Sequence, residues 1–287
     1  ITEYAQFLDV SRETPIVSLG EGGTPLIEAP KLSDRTGLKV FIKFEGMNPT
    51  GSFKDRGMTV AVSKAKERGA KAIICASTGN TSAAAAAYAA HGGLTGAVLV
   101  PDGKITMGKL SQAVIHGAHV LQVAGNFDDC LEIARELAEK YRVHLVNSVN
   151  DDRIEGQKTA SFEVLESLGR APDYHFLPVG NAGNYTAYYR GYVEANSRNR
   201  SLKIPRMLGF QAAGSAPFIS GKRVRKPETI ASAIRIGNPA SWDLAIAAKE
   251  GSDGYFGAIS DQQILAAHKL LASDVGIFVE PSSAISV

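Results

Sequence analysis

Apolar and polar positions along the chain form two repeating patterns. Short apolar runs of strand length occur at residues 40–44, 72–76, 96–100, 120–123, 144–146, 174–179, 207–210 and 277–279. Segments with helical periodicity separate them, and in residues 127–141 the core-facing stripe is expected to consist of Phe127, Leu131, Ala134, Leu137, Ala138 and Tyr141. Because apolar runs that alternate with helices are typical of open parallel sheets covered on both faces, the pattern predicts an α/β fold.

Composition narrows the possible functions. The 287 residues are 44% hydrophobic, which is enough for a large core and usually for two domains. A formal net charge of +2 is too small to favour nucleic-acid binding, so we expect none. The sequence also has no long apolar span and no signal segment at its start, so we expect neither membrane insertion nor secretion.

Cysteine and histidine usage excludes two further kinds of site. Cys75 and Cys130 are the two cysteines, which makes a disulfide framework improbable and favours a cytoplasmic location. The six histidines are scattered without the paired spacing of metal ligands. The sequence therefore predicts no metal site.

Three polar turns carry the candidate chemistry. The first, MNPTGSFKDR at residues 47–56, presents Lys54 just after a glycine and a serine; the others are STGNTS at residues 77–82 and GNAGN at residues 180–184. The latter two each follow an apolar run and open a helical one. Glycines let a backbone approach a ligand closely, and free amides at a helix start favour an anion, so residues 180–184 are a candidate phosphate-binding loop.

In this order, these turns carry a resemblance to a known family. Together with GEGGTPL at residues 20–26 and AIRIGNPASW at residues 233–242, they resemble the pyridoxal-phosphate enzymes of the tryptophan-synthase-like group, fold type II. The resemblance covers nearly the whole chain. Within that group, residues 235–242 in particular resemble the threonine synthases more than the dehydratases or the cysteine synthases.

The resemblance implies an architecture. It implies two open, mostly parallel twisted sheets flanked by helices, with a small domain of residues 47–146 inserted in a large domain of residues 1–46 and 147–287, and with the cofactor in the cleft between. Family members are often dimers, so we expect a homodimer. They also continue further than this chain, and the additional part is expected to carry the hydroxyl residue that faces the pyridine nitrogen.

For the cofactor, pyridoxal 5'-phosphate, the resemblance implies a set of binding residues. Lys54 would form the Schiff base and then move protons between Cα, Cβ and Cγ of the substrate. Phe53 would support the ring, and Asn80 would hydrogen-bond the ring hydroxyl, although a helix cap is the simpler interpretation of Asn80. Backbone amides would bind the cofactor phosphate at Gly180, Asn181, Ala182, Gly183 and Asn184.

For the substrate, two groups of residues are candidates. Ser77, Thr78 and Thr81 would face its carboxylate, unless they only satisfy the turn. A phosphorylated substrate also needs a second anion site, for which NSVNDDR at residues 147–153 offers Arg153 with Asn147 and Ser148. The alternative for Arg153 is an exposed salt bridge to Asp151 or Asp152.

The implied reaction is the conversion of O-phospho-L-homoserine and water into L-threonine and phosphate. It would proceed by removal of a β-proton, elimination of phosphate from Cγ and addition of water at Cβ. One alternative is a threonine or serine dehydratase of the same fold, for which Glu280 is a possible carboxylate near the ring, or otherwise a helix-start residue. The other is a non-catalytic ligand-binding or regulatory homologue.

Overall fold

A computed structural model describes residues 1–103, 107–148 and 150–287, with the side chains of residues 107–109 also left out. Val149, within the predicted anion-binding stretch, lies outside the described residues. The strands are β1 (Leu26–Glu28), β2 (Phe41–Lys43), β3 (Ala72–Ala76), β4 (Thr95–Pro101), β5 (His119–Val123), β6 (Val143–Leu145), β7 (Tyr174–Pro178), β8 (Arg206–Ala212) and β9 (Tyr255–Ile259).

Helices separate most of these strands. They are α1 (Pro30–Thr36), α2 (Lys54–Glu67), α3 (Asn80–Gly92), α4 (Met107–Ile115), α5 (Phe127–Lys140), α6 (Asp151–Gln157), α7 (Thr159–Leu168), α8 (Gly183–Ser197), α9 (Pro217–Ser220), α10 (Trp242–Gly251), α11 (Asp261–Leu270) and α12 (Pro281–Ala284). Among the described helices, none combines the length and the apolar character that crossing a membrane requires.

The chain divides into two compact units. The first comprises residues 1–24 and 45–159, and the second comprises residues 25–44 and 160–287. The domain boundaries implied by the resemblance stay a prediction.

The first unit is built on a four-stranded parallel sheet with the order β5-β4-β3-β6. Alternate side chains of β3 point to opposite faces, as the strand periodicity requires. Ile73 packs in the cluster that includes residues of α2, α3 and α4, whereas Ile74 packs with Ala134 of α5. Helices therefore cover both faces of this sheet, which accounts for the uninterrupted apolar runs in its sequence.

The second unit contains a three-stranded parallel sheet with the order β7-β8-β9 and the antiparallel pair of β1 and β2. A small apolar cluster lies beyond the end of β8 and joins Ala212 to Ile234, Ile264 of α11 and Ile285. The loop of residues 180–184 begins one residue after β7. The residue between them, Val179, still pairs with the sheet, since its amide donates to Phe210 O at 2.8 Å.

The α/β class with parallel sheets flanked by helices is confirmed, but several local predictions are wrong. Residues 277–279 form no strand: the amide of Ile277 donates to Leu271 O, so this segment folds back on the preceding turn. The sequence pattern also predicts no strand at residues 255–259, where β9 forms beside β8. At the two ends of the predicted core stripe, Phe127 begins α5 and Tyr141 is the residue after its last turn, and both are exposed.

Candidate active site

Lys54 is the first residue of α2, so its amine stands at the start of a 14-residue helix. Its amide donates to Ser52 Oγ at 3.3 Å, within a turn that contains Gly51 at a φ of 83°. The Nζ atom lies 3.9 Å from the centroid of the Phe53 ring, a geometry that favours a cation over the ring face. Lys54 and Phe53, two of the predicted cofactor-binding residues, are therefore in contact with each other.

A buried ion-pair network holds the beginning of α2. Arg56 donates Nε to one oxygen of Glu45 at 2.7 Å and Nη2 to the other at 2.9 Å, so the pair is bidentate. Thr24, from the GEGGTPL motif, donates to the same carboxylate at 2.6 Å, and the side-chain amide of Asn48 donates to it at 3.0 Å. The GEGGTPL motif, the start of the lysine turn and α2 are thus tied to one carboxylate.

The turn of residues 77–82 connects β3 to α3. Its N-cap is Gly79, and Asn80 is the first helical residue, so the helix-cap interpretation of Asn80 is wrong. Ser77 Oγ accepts from the Gly79 amide at 3.2 Å, which satisfies part of the turn. Ser77, Thr78 and Thr81 are all half-buried, so their hydroxyls are available to a ligand only in part.

Asn147 is bound to the end of β3. Its side-chain oxygen accepts from the Ala76 amide and its side-chain nitrogen donates to Ala76 O, both at 3.0 Å. The side-chain amide thus mimics one more residue of sheet pairing, directly before Ser77. Ser148 follows it and is half-buried. The predicted substrate residues of the two turns therefore meet at the carboxyl edge of the same sheet.

Arg153, in α6, is buried with 1% of its surface exposed. Nη1 donates to Val146 O at 3.0 Å, whereas Nε and Nη2 have no hydrogen-bond partner among the described residues. Burial lowers the pKa of the guanidinium to about 10, so it remains cationic at neutral pH. Asp152 pairs instead with Arg68 at 2.7 Å, and the predicted alternative of an exposed salt bridge from Arg153 is therefore wrong.

The helices of Lys54 and Arg153 touch each other through two glycines. A Cβ on Gly57 of α2 would lie 2.7 Å from Arg153 O, and a Cβ on Gly156 of α6 would lie 2.1 Å from Arg56 O. Both distances are too short for any side chain, so the two backbones pack at closest approach. This contact fixes the spacing between the helix that carries the amine and the helix that carries the buried guanidinium.

In the second unit, the loop of residues 180–184 leads into the 15-residue helix α8. Ala182 is the N-cap and has a left-handed φ of 64°, which an alanine adopts only when its surroundings enforce it. Asn181 accepts from the Ala240 amide at 3.2 Å through its side chain and from the Ser241 amide at 3.1 Å through its backbone. The loop is therefore attached to the AIRIGNPASW segment.

Gly180 packs against the same segment. A Cβ there would lie 3.1 Å from Ile234 Cα and 3.4 Å from Ala233 O, so the loop has no room for a larger residue without a shift. The AIRIGNPASW segment, which includes residues 235–242 that resemble the threonine synthases in particular, thus shapes the predicted phosphate loop. Glu280, considered for the dehydratase alternative, is the N-cap position of α12, as the helix-start interpretation predicts.

Some residues of this site could not be assigned a role from the sequence. Glu45, Thr24 and Asn48 lie inside or near quoted motifs, and Asp55 lies in the lysine turn. The hydrogen bonds of Glu45 with Thr24 and Asn48, and of Asp55 with Thr50, appear only in the structure. A signal was present in the sequence, since Asp55 and Arg56 follow Lys54 directly. No group of three or more His, Cys, Asp or Glu side chains in the described part of the chain is placed to bind a metal.

Comparisons with known proteins identify the class. The sequence profile of the pyridoxal-phosphate-dependent enzymes matches residues 17–287. The fold is similar to that of maize serine racemase, with a TM-score of 0.78 at 23% identity over 91% of this chain and 79% of that chain. A fungal L-serine ammonia-lyase from Rhizomucor miehei gives a TM-score of 0.80 at 25% identity over 92% of this chain and 84% of that chain. The chain belongs to the family of pyridoxal-phosphate-dependent enzymes.

Within that family, curated relatives of high identity are threonine synthases. The protein from Synechocystis sp. is 58% identical over 289 residues, which are 100% of this chain and 76% of the relative. The protein from Mycobacterium tuberculosis (strain H37Rv) is 59% identical, with 100% and 80% covered, and the one from Methanocaldococcus jannaschii is 48% identical, with 100% and 73% covered. This similarity favours the threonine synthase interpretation over the dehydratase alternative.

The residues present fit the cofactor. The start of α8 supplies backbone amides without intrahelical partners, and residues 180–184 contain no acidic side chain that would repel a phosphate. Gly180 and Gly183 contribute no side-chain atoms to this loop. At the start of α2, Lys54 supplies the amine that the cofactor aldehyde requires.

Proposed function

We propose that the chain converts O-phospho-L-homoserine and water into L-threonine and phosphate, as a pyridoxal-phosphate-dependent lyase of threonine biosynthesis. The observation that carries this substrate is Arg153, a buried cation with two unpartnered nitrogens on a helix packed against that of Lys54. A buried charge without full hydrogen bonding is costly for the fold, so it indicates a bound anion. The identity to threonine synthases supports the same substrate.

The residues would divide the work as follows. Lys54 would hold the cofactor and would take up and return protons at Cα, Cβ and Cγ of the substrate. Phe53 would support the ring, and Asn80 would donate to its hydroxyl. The backbone amides of residues 180–184 would bind the cofactor phosphate. When bound, pyridoxal phosphate supplies an electron sink that makes these carbon-bound protons removable.

The substrate would be held at both of its anionic ends. Ser77, Thr78 and Thr81 would bind the carboxylate through the turn before α3. Arg153 would bind the phosphate with its two unpartnered nitrogens, aided by Ser148 and by the remaining hydrogen-bonding capacity of Asn147. As the Cγ–O bond breaks, the guanidinium would neutralise the leaving phosphate, and water would add at Cβ.

A combined assay tests this function. Phosphate release from O-phospho-L-homoserine is measured on protein reconstituted with pyridoxal phosphate, and the amino-acid products are identified in the same samples. We expect threonine and phosphate in equal amounts, and a loss of roughly 10³-fold or more in Lys54→Ala. Oxoacid formation from free threonine or serine, with phosphohomoserine ignored, would contradict the proposal and favour the dehydratase.

Two further parts of the proposal concern the protein's state in the cell. We expect a homodimer, as in family members, and light scattering on the purified protein would test this. We also expect a cytoplasmic location, which the buried free thiols of Cys75 and Cys130 support, since reducing compartments keep such thiols unpaired.

A further inference from the structure

The turn before α2 is closed by Asp55, the residue that follows Lys54. The Asp55 carboxylate is fully buried and accepts two hydrogen bonds from Thr50, from the amide at 2.7 Å and from Oγ1 at 2.5 Å. Lys54 lies inside the loop that these bonds close. The position of the Lys54 backbone is therefore tied to a single carboxylate–threonine pair.

This carboxylate differs from an ordinary acidic residue at a helix start. Such residues usually remain in solvent and gain a little energy from the helix dipole. Here the pKa of Asp55 is raised to about 6, mainly by burial and in addition by the carboxylates of Glu21 and Glu45, although the hydrogen bonds from Thr50 lower it. The neighbouring Arg56 directs its guanidinium to Glu45. The hydrogen bonds of the Asp55 carboxylate thus come from Thr50. Burying a carboxylate costs free energy, so stabilisation of a turn alone does not account for its presence here.

We propose that Asp55 is a positioning residue for Lys54, and that its pair with Thr50 holds the turn in the conformation in which the amine binds the cofactor. This inference rests on the role of Lys54 in the proposed function. A flexible lysine side chain loses conformational freedom on reaction, so a fixed backbone start lowers the entropic cost. Loss of the Asp55–Thr50 pair is therefore expected to change the reactivity and cofactor binding of the Lys54 amine as well as the unfolding free energy.

A second threonine of α2 separates this role from simple stabilisation. Thr59 is buried, with 2% of its surface exposed, and its Oγ1 donates to Val17 O at 2.7 Å. Thr59→Val therefore removes a buried hydroxyl bond from the same helix without touching the turn of Lys54. It is the matched control for Thr50→Val, and Thr50→Ser is the conservative variant that keeps the hydroxyl.

Two measurements report on the amine without turnover. One is the dissociation constant of pyridoxal phosphate, from absorbance titration without substrate; the other is the rate at which a lysine-acylating reagent labels Lys54 in cofactor-free protein, followed by mass spectrometry. We expect Thr50→Val to weaken cofactor binding about tenfold and to change the labelling rate, because a hydrogen bond to a charged group is lost. Thr50→Ser and Thr59→Val should stay within about twofold of wild type, although Thr59→Val should lower the unfolding free energy.

Each other outcome has a defined meaning. Equal cofactor binding in Thr50→Val and Thr59→Val would show that the pair is only structural and would overturn the proposal. If Thr50→Val does not fold, Asp55→Asn is measured in the same way, and wild-type cofactor binding in that variant would overturn it too. If Lys54→Ala retains the cofactor through gel filtration as wild type does, the proposed function itself fails. If Lys54→Ala loses the cofactor but Thr50→Val retains it as wild type does, only the positioning role fails.

Discussion

The lysine turn and the phosphate loop are two candidate cofactor-binding segments that are built in different ways. Around Lys54, buried side chains do the positioning: the bidentate pair of Arg56 and Glu45, and the carboxylate of Asp55. In residues 180–184, the backbone does it, through the left-handed Ala182 and the close approach of Gly180 to Ile234.

The two segments should therefore be sensitive to different substitutions. A segment held by buried charges depends on the exact partners and on their protonation, because an unpaired charge in the interior is costly. A segment held by close backbone contacts depends on volume and on φ, but neither changes with pH. Charge substitutions should therefore damage the lysine turn, and added methyl groups should damage the phosphate loop.

The largest effect is expected from Arg56→Met. It leaves the Glu45 carboxylate without its bidentate partner, so the unfolding free energy should fall by about 3–5 kcal/mol in urea titrations. The control is Arg170→Met, which breaks the exposed pair with Asp173 and should change little. Similar losses in both variants would show that the buried network has no special part in holding the lysine turn.

The next effect concerns Arg153, the cation that we propose binds the substrate phosphate. Arg153→Met should lower kcat/KM for O-phospho-L-homoserine about 100-fold, because two hydrogen bonds to an anion are lost. The unfolding free energy should fall by only about 1 kcal/mol, since Nη1 has one protein partner, Val146 O, whereas Nε and Nη2 have none among the described residues. Arg153→Lys, which keeps the charge without the planar fork, should be intermediate. A wild-type kcat/KM in Arg153→Met would contradict the phosphate-binding role.

The sequence predicted the parts of the fold that follow from local patterns. The strand β3 has the predicted bounds, residues 72–76, because a short apolar run between polar turns has one simple solution. Residues 277–279 are a similar short apolar run but form no strand, because strand pairing depends on neighbouring strands that a single segment does not specify. The exposure of the stripe residues at the ends of α5 has a related cause. Periodicity shows which face of a helix is apolar, but not how far the neighbouring sheet extends along that face.

The site could be predicted only where one residue carries its own chemistry. Lys54 and Arg153 could be selected by residue type and turn position. The Asn147 amide bound to Ala76, and the contact of Gly57 with Arg153, depend on segments about 70 to 100 residues apart, so spacing in the sequence contains no trace of them. Buried side-chain networks around the lysine turn could consequently not be predicted, whereas the candidate phosphate loop is one continuous stretch that its glycines mark in the sequence.

The dependence on protonation expected for the lysine turn can be measured through Asp55. The folded pKa of Asp55, about 6, lies above its ordinary value of 3.8, so the folded state binds this proton more tightly. The stabilising contribution is fully present below pH 3.8 and is lost as the pH rises through 6. The unfolding free energy of wild type relative to Asp55→Asn should therefore increase, by about 1–3 kcal/mol, from about pH 7.5 to about pH 4.

Comparison with Asp55→Asn is needed because other groups titrate in the same range. Burial lowers the pKa of His175 to about 4, which destabilises the fold on acidification in both proteins and cancels in their difference. Urea titrations at several pH values provide the measurement. A difference that stays constant across this range would contradict the buried, proton-binding carboxylate.

The smallest effect is expected in the phosphate loop, where two variants should change cofactor binding differently. Gly180→Ala places a methyl group 3.1 Å from Ile234 Cα, so it should weaken pyridoxal-phosphate binding roughly threefold to tenfold, equally at about pH 6 and pH 8. Ala182→Gly removes the left-handed strain of an alanine, worth about 1 kcal/mol, and should leave binding unchanged or tighter. Fluorescence titration of the cofactor measures both. Losses of equal size in the two variants, or a loss that varies with pH, would mean that side-chain chemistry rather than backbone shape holds this loop, and the contrast with the lysine turn would disappear.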